Sequence, residues 1–137
     1  MHDSLIDVAR RYWAAEESRD TTQILAFFHK AATWRGPGGL LRGHDEIGTY
    51  YQASCVAYPG LKVEIVGWHG SSVEGAIRWR ALFTAPTGEL SELEGVNIMR
   101  VEDGLIASLH AFFDPSQLSR PMARTQPSGD QLSGRAS

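Results

Sequence analysis

The chain has 137 residues, enough for one domain at about 150 residues each, and its 42% hydrophobic and 21% charged composition is that of an ordinary globular protein. Its 13 basic and 16 acidic side chains leave a formal charge of -3, too weak and too mixed for a nucleic-acid-binding stripe. The single cysteine, Cys55, excludes an internal disulfide and points to a reducing, cytoplasmic setting, and neither a long apolar run nor a basic-then-apolar leader argues for a membrane span or signal peptide.

Ser4-Leu5-Ile6-Asp7 reads as a capping box opening a helix. Leu5, Val8 and Tyr12, widened by Ala9 and Trp13, give it one buried face. Asp20-Thr21-Thr22-Gln23 is a second start signal, followed by Ile24, Phe27 and Phe28 as the apolar face of a short helix. Residues 31–34 predict a brief extended piece ending at Gly36-Pro37-Gly38-Gly39, where glycine and proline break regular structure. A third helix is expected from Gly43-His44-Asp45, with Ile47, Tyr50, Tyr51 and Ser54 on one side and Pro59-Gly60 beyond its end. Only one of the adjacent Tyr50 and Tyr51 is expected to face strongly inward.

Beyond Gly60 the apolar period changes from helical to two. Strands are predicted over 61–66, 73–85, 89–101 and 105–113, with Glu102-Asp103-Gly104 as a tight hairpin. Three helices followed by a strand meander make an α+β fold. The expected architecture is a curved antiparallel β-sheet wrapped around about three N-terminal helices. Trp79, Ala81 and Phe83, joined by Phe112, leave the other face of the sheet apolar, which predicts a homodimer through that outer face. Residues 1–118 are read as a single domain. Residues 119–137, rich in Ser, Gly, Pro, Gln and Arg, are read as a flexible tail.

Several local strings, in this order, resemble the NTF2-like superfamily in its SnoaL-like and ketosteroid-isomerase-like branches. They are Arg11-Tyr12-Trp13, Ala31-Ala32-Thr33-Trp34 before Gly36-Pro37, Leu41-Arg42-Gly43-His44-Asp45, and Tyr58-Pro59-Gly60-Leu61-Lys62-Val63. Gly95-Val96-Asn97-Ile98-Met99-Arg100, Glu102-Asp103-Gly104-Leu105-Ile106 and Phe113-Asp114 complete the set. The resemblance spans about residues 5–118 and implies a cone-shaped cavity open at one end. It also implies cofactor-independent isomerases, cyclases or dehydratases among the relatives, beside non-catalytic binding modules.

The resemblance matches Tyr12 to the isomerases' tyrosine and Asn97 to their second acid, which an amide replaces only as a donor. The aspartate base of those enzymes falls at Gly36, which has no side chain, and ordinary steroid isomerisation lacks its agent. Likeness to epoxide hydrolases matches Arg78 to an arginine, but Arg80 and Ala111 stand where carboxylates belong. Strand parity, with Asn97 inward, brings Met99 inward and assigns Arg78 and Arg80 to the same face. The other reading of both arginines is rim pairing with Glu92, Glu94 or Glu74. Leu109 and Phe113 are expected to point inward, and His110 outward. Trp34 lines the mouth as an amphipathic indole.

The expected catalytic set is therefore Tyr12, Asn97 and Arg78. The expected substrate-binding set is Trp34, Arg80, Met99, Leu109 and Phe113. Together they would stabilise an oxyanion of a small hydrophobic molecule carrying a polar or anionic group, a carbonyl or phenolic compound. No metal spacing is present and no cofactor, nucleic acid or membrane is expected. The missing carboxylates also fit a non-catalytic ligand-binding or accessory module.

Overall fold

Ser4 starts helix α1 (Leu5–Ser18): its hydroxyl accepts from the Asp7 amide at 3.4 Å and donates to the Asp7 carboxylate at 2.9 Å. The computed structural model describes residues 4–118, and the tail expected at 119–137 lies outside the described residues. Helix α1 buries Leu5, Val8, Ala9, Tyr12 and Trp13, and ends at Arg19 in a left-handed cap with φ 56°. The Asp20 carboxylate accepts from the Thr22 and Gln23 amides to open α2 (Thr21–Leu25). This helix is one turn shorter than expected. Phe28 leaves it to start a strand, where its ring meets Tyr12 edge-on at 5.7 Å.

Strand β1 (Phe28–Gly36) and the short β2 (Gly39–Arg42), which the sequence reading omitted, form a hairpin closed by the Gly36–Gly39 pair. Helix α3 (Gly43–Ala57) follows, then β3 (Gly60–Gly70), β4 (Glu74–Thr84), β5 (Leu90–Glu102) and β6 (Leu105–Phe113). Asp103 (φ 52°) and Gly104 (φ 77°) both take positive φ between β5 and β6. Two such residues in succession suit the right-handed twist of a two-residue hairpin.

The strands form one sheet in the order β2-β1-β6-β5-β4-β3. Strands β3 to β6 run as an antiparallel meander, but β1 lies parallel to β6, pairing Trp34 with Leu109 and Arg35 with His110. The expectation of an antiparallel sheet curled into a cone is therefore overturned. The fold is α+β with a mixed, open sheet whose edges, β2 and β3, do not join, and the sheet is not strongly curled around the helices. The reason is β1: it enters before α3 and docks beside the last strand, an addition that alternation within either segment does not encode.

Register decides which side chains reach the helices. Ile77 pairs with Asn97, Trp79 with Gly95 and Ala81 with Leu93. All but Gly95 of these are buried, as is Phe83. Arg78 pairs with Val96 and Arg80 with Glu94 on the opposite face, and both arginines are exposed. Residues directly opposite share a face, and a slip of one residue turns over a whole strand. The expected outer set of Trp79, Ala81 and Phe83 is thus core, while Ile98 (43% exposed) and Phe112 (46% exposed) occupy the outer face. No helix among the described residues is long and apolar enough to cross a membrane.

Candidate functional site

Tyr12 and Glu16 lie one helical turn apart on α1, so both project from its buried face. The Tyr12 hydroxyl donates to Glu16 Oε2 and shares a second hydrogen bond with the Tyr51 hydroxyl from α3. Tyr51 in turn accepts from the Trp34 indole nitrogen at 3.1 Å and lies 3.4 Å from Glu16 Oε2. A continuous polar chain, Trp34 to Tyr51 to Tyr12 to Glu16, thus links β1, α3 and α1.

The Glu16 side chain is only 14% exposed. Burial pushes its carboxyl above the ordinary value of 4.5, while hydrogen bonds from Tyr12 and Tyr51 and the charge of Arg19 oppose the rise. Arg19 places Nη1 3.9 Å from Glu16 Oε1, but is also held by the backbone carbonyls of Glu16 and Tyr58. Burial first, and the Glu16 charge second, raise Tyr12 and Tyr51 well above 10. Tyr50 is raised for the same two reasons. Ser54 lies near enough to temper that rise but outside hydrogen-bonding geometry, leaving its buried Oγ without a partner.

Across from this chain, Trp79 Nε1 donates to Asn97 Oδ1 at 2.9 Å. The indole crosses Gly95, where a Cβ would come within 2.4 Å of its ring. With the amide oxygen committed to Trp79, the Asn97 nitrogen is the group left to donate.

Between the two polar groups lies a hollow of about 60 Å³, walled by Tyr12, Glu16, Trp34, Tyr51, Ser54 and Asn97 among others. At about 30 Å³ per water it holds roughly two waters, far below the roughly 300–1,000 Å³ of a drug-sized site. A larger ligand must shift an aromatic wall or project from the mouth.

Of the residues expected at the site, Tyr12, Trp34, Asn97, Leu109 and Phe113 line this hollow. Met99 is fully buried but off its lining. Arg78 and Arg80 are on the other side of the sheet. Arg80 pairs there with Glu64 at 3.1 Å and Glu94 at 3.4 Å, so the rim alternative holds for Glu94. Tyr50 and Tyr51 both reach the hollow, against expectation, and both rings pack against Trp34, with centroids at 4.5 Å and 6.4 Å.

The sequence reading missed Glu16, and it set Tyr51 and Ser54 on one side of α3 without assigning them to the site. The signal for Glu16 was present: Ala9, Tyr12, Trp13 and Glu16 continue one helical stripe. At Gly36 an added Cβ would lie 2.5 Å from the Trp34 ring, so the indole occupies the place where a base would project. Among the described residues no three His, Cys, Asp or Glu side chains converge as a metal site would require.

The sequence model of the SnoaL-like domain matches residues 9–109. The fold is similar to that of the Δ5-3-ketosteroid isomerase from Mycobacterium sp., with TM-score 0.72 and 21% identity over 84% of this chain and 96% of that one. It is also similar to a computationally designed 17-OHP binder, with TM-score 0.74 and 21% identity over 85% of this chain and 97% of the other. TerC, crystallised with polyporic acid, aligns with TM-score 0.69 and 19% identity over 80% of this chain and 90% of TerC. No curated protein sequence matches the chain.

Proposed function

The chain belongs to the SnoaL-like family, and on that premise we propose that it is a small-molecule pocket protein acting on a hydrophobic carbonyl or phenolic compound. Tyr12 and Asn97 hold the compound's oxygen as charge develops there, while Trp34, Leu109 and Phe113 contact its apolar body. What carries the reading is the meeting of a buried tyrosine–carboxylate chain and a fixed amide in one apolar-walled hollow. Buried polar groups in such a setting act on a ligand more strongly than in water. The ligands named for the isomerase, TerC and the designed binder lend support by analogy of fold.

Gly36 and Ala111, which carry no carboxylate, favour a second reading as a binding or accessory module without turnover. The protein acts in the cytoplasm, in keeping with its single free thiol, and pairs as a homodimer through the outer sheet face.

The test is a panel of apolar ketones and phenols assayed by thermal unfolding of the wild type and Tyr12→Phe. A true ligand at a hundredfold its Kd adds about 2.7 kcal/mol of stability. Tyr12→Phe removes a hydrogen bond to a charged oxygen, worth about 1.5–3 kcal/mol, and is expected to weaken that ligand at least tenfold. Loss of turnover in the variant identifies an enzyme, binding without turnover in the wild type identifies the module, and protection by no compound overturns both.

A further inference from the structure

The hydrogen bonds at the hollow's polar end can be counted. Four contacts link Trp34, Tyr51, Tyr12 and Glu16, the longest of them from the Tyr51 hydroxyl to Glu16 Oε2 at 3.4 Å. With Glu16 ionised, three protons serve them: the indole N–H and the two phenolic O–H groups, each of which donates once. No proton is left over for a bound oxyanion. Oxygen lone pairs remain, including those on Glu16, so the polar end accepts. Close by, the Ser54 hydroxyl is 3% exposed and is the one buried side-chain polar atom among the described residues without a partner. An unpartnered buried hydroxyl in the wall of a hollow marks a place where a ligand completes the hydrogen bonding.

We propose that Glu16 is the proton-accepting residue of this hollow, taking the acidic C–H or O–H proton of a bound enolisable carbonyl or phenolic compound, and that this one proton turns the tyrosine pair from closed to donating. The inference rests on the ligand-site reading above and adds to it the group that the empty Gly36 position fails to supply. In the step, the ligand's bond to hydrogen breaks and its electron pair stays on the ligand as enolate or phenolate. Glu16 becomes the carboxylic acid. Glu16 then donates to Tyr12 and Tyr12 to Tyr51, and the Tyr51 hydroxyl, released from its 3.4 Å contact with Glu16, is available to the new oxyanion. Base and oxyanion donor are successive states of one chain of groups.

The charged and titratable groups around Glu16 are Tyr12, Glu17 and Arg19 from α1 and Tyr50, Tyr51 and Cys55 from α3. The β3 residues that share the hollow, Leu61 and Val63, are apolar. Arg19 is the one nearby cation in this set. It stands at 3.9 Å and is engaged with backbone carbonyls, so it leaves the carboxylate able to take a proton.

The probe is 4-nitrophenolate, bound in calorimetric titrations in buffers of different ionisation enthalpy over an alkaline pH series. The wild type is expected to take up a proton on binding, rising towards one per ligand at the alkaline end. Glu16→Gln is expected to bind without uptake, because its amide donates permanently. Wild-type binding with no uptake at any pH, or the same uptake in Glu16→Gln, overturns the assignment. If the variant does not fold, the absorption spectrum of the ligand bound to the wild type decides: a phenolate spectrum with uptake puts the proton on the protein, and a neutral-phenol spectrum overturns the assignment. No binding to a folded protein of either kind instead defeats the phenolic ligand-site reading on which the inference rests.

Discussion

Glu16 is held where water barely reaches it, and its ionisation therefore links the hollow to the stability of the fold. Because burial raises the carboxyl above its ordinary value of 4.5, the folded state binds this proton more tightly than the unfolded chain does. The group's contribution is fully present below the ordinary glutamate value and is lost as pH rises through the raised one. Asp114, held below its ordinary 3.8 by hydrogen bonds from Ser116, has the opposite sign and loses its contribution as pH falls. The difference between wild type and Glu16→Gln isolates the first effect. Urea midpoints measured from acidic to alkaline pH should show the wild type losing stability relative to the variant as pH climbs above about 4.5. A constant difference would mean that folding leaves the proton affinity of Glu16 unchanged. At this scale Tyr12 was legible as an inward tyrosine from its helical spacing. The carboxylate one turn later carries the same spacing, but a charged residue on an apolar stripe reads as the stripe's end until a partner from another element is placed beside it.

The β4–β5 pairing sorts the chemistry of both strands by parity. The alternation of Ile77, Trp79, Ala81 and Phe83 with Arg78, Arg80, Leu82 and Thr84 was visible in the sequence, and the ordinary reading of it, apolar inward, is the one the structure takes. Taking Asn97 as inward and setting Arg78 and Arg80 rather than Ile77 and Trp79 on its face is a one-residue slip that placed the charges inside, at a desolvation cost nothing nearby offsets. Two substitutions separate the registers. Arg78→Met changes an exposed side chain with no ion pair among the described residues. It should alter stability by no more than about 0.5 kcal/mol and leave ligand affinity within twofold. Asn97→Ala leaves the buried Trp79 N–H unpaired, a loss of about 1–3 kcal/mol, and should weaken ligand binding as well. Denaturant titration and the ligand assay read both. Equal effects would return Arg78 to the hollow. The caps at Ser4 and Asp20 and the Asp103-Gly104 turn were legible because each is a local contract between neighbouring residues.

In the whole molecule the helices lie on one face of the sheet, and on the other Val96, Ile98, His110 and Phe112 form an apolar area. The His110 and Phe112 rings stack there at 4.0 Å. The ion pairs of Arg80 with Glu64 and Glu94 lie on the same outer side. A central apolar area with charged neighbours has the anatomy of a protein–protein interface. Because Val96 pairs with Phe112 and Ile98 with His110 across adjacent strands, a two-fold partner could meet the same patch with its own. Light scattering at tens of micromolar should give twice the chain mass for the wild type and the single mass for Phe112→Asp, with the variant's circular dichroism unchanged. A wild-type monomer at that concentration would rule out the homodimer.

The sequence by itself determined the α+β class, the three helices, the antiparallel meander and the presence of Tyr12 and Asn97 at inward positions. Each is written in spacing, capping or turn residues within a few positions of one another, or in strings of family resemblance. Only the tertiary structure decided that β1 joins β6 in parallel, that the sheet stays open, and that Arg78 and Arg80 stand outside. It also brought Trp34, Tyr51, Tyr12 and Glu16, spread over 39 positions between Tyr12 and Tyr51, into a single hydrogen-bonded chain. Such meetings depend on how strands pair and helices pack at long range, and a local pattern is compatible with more than one of those outcomes.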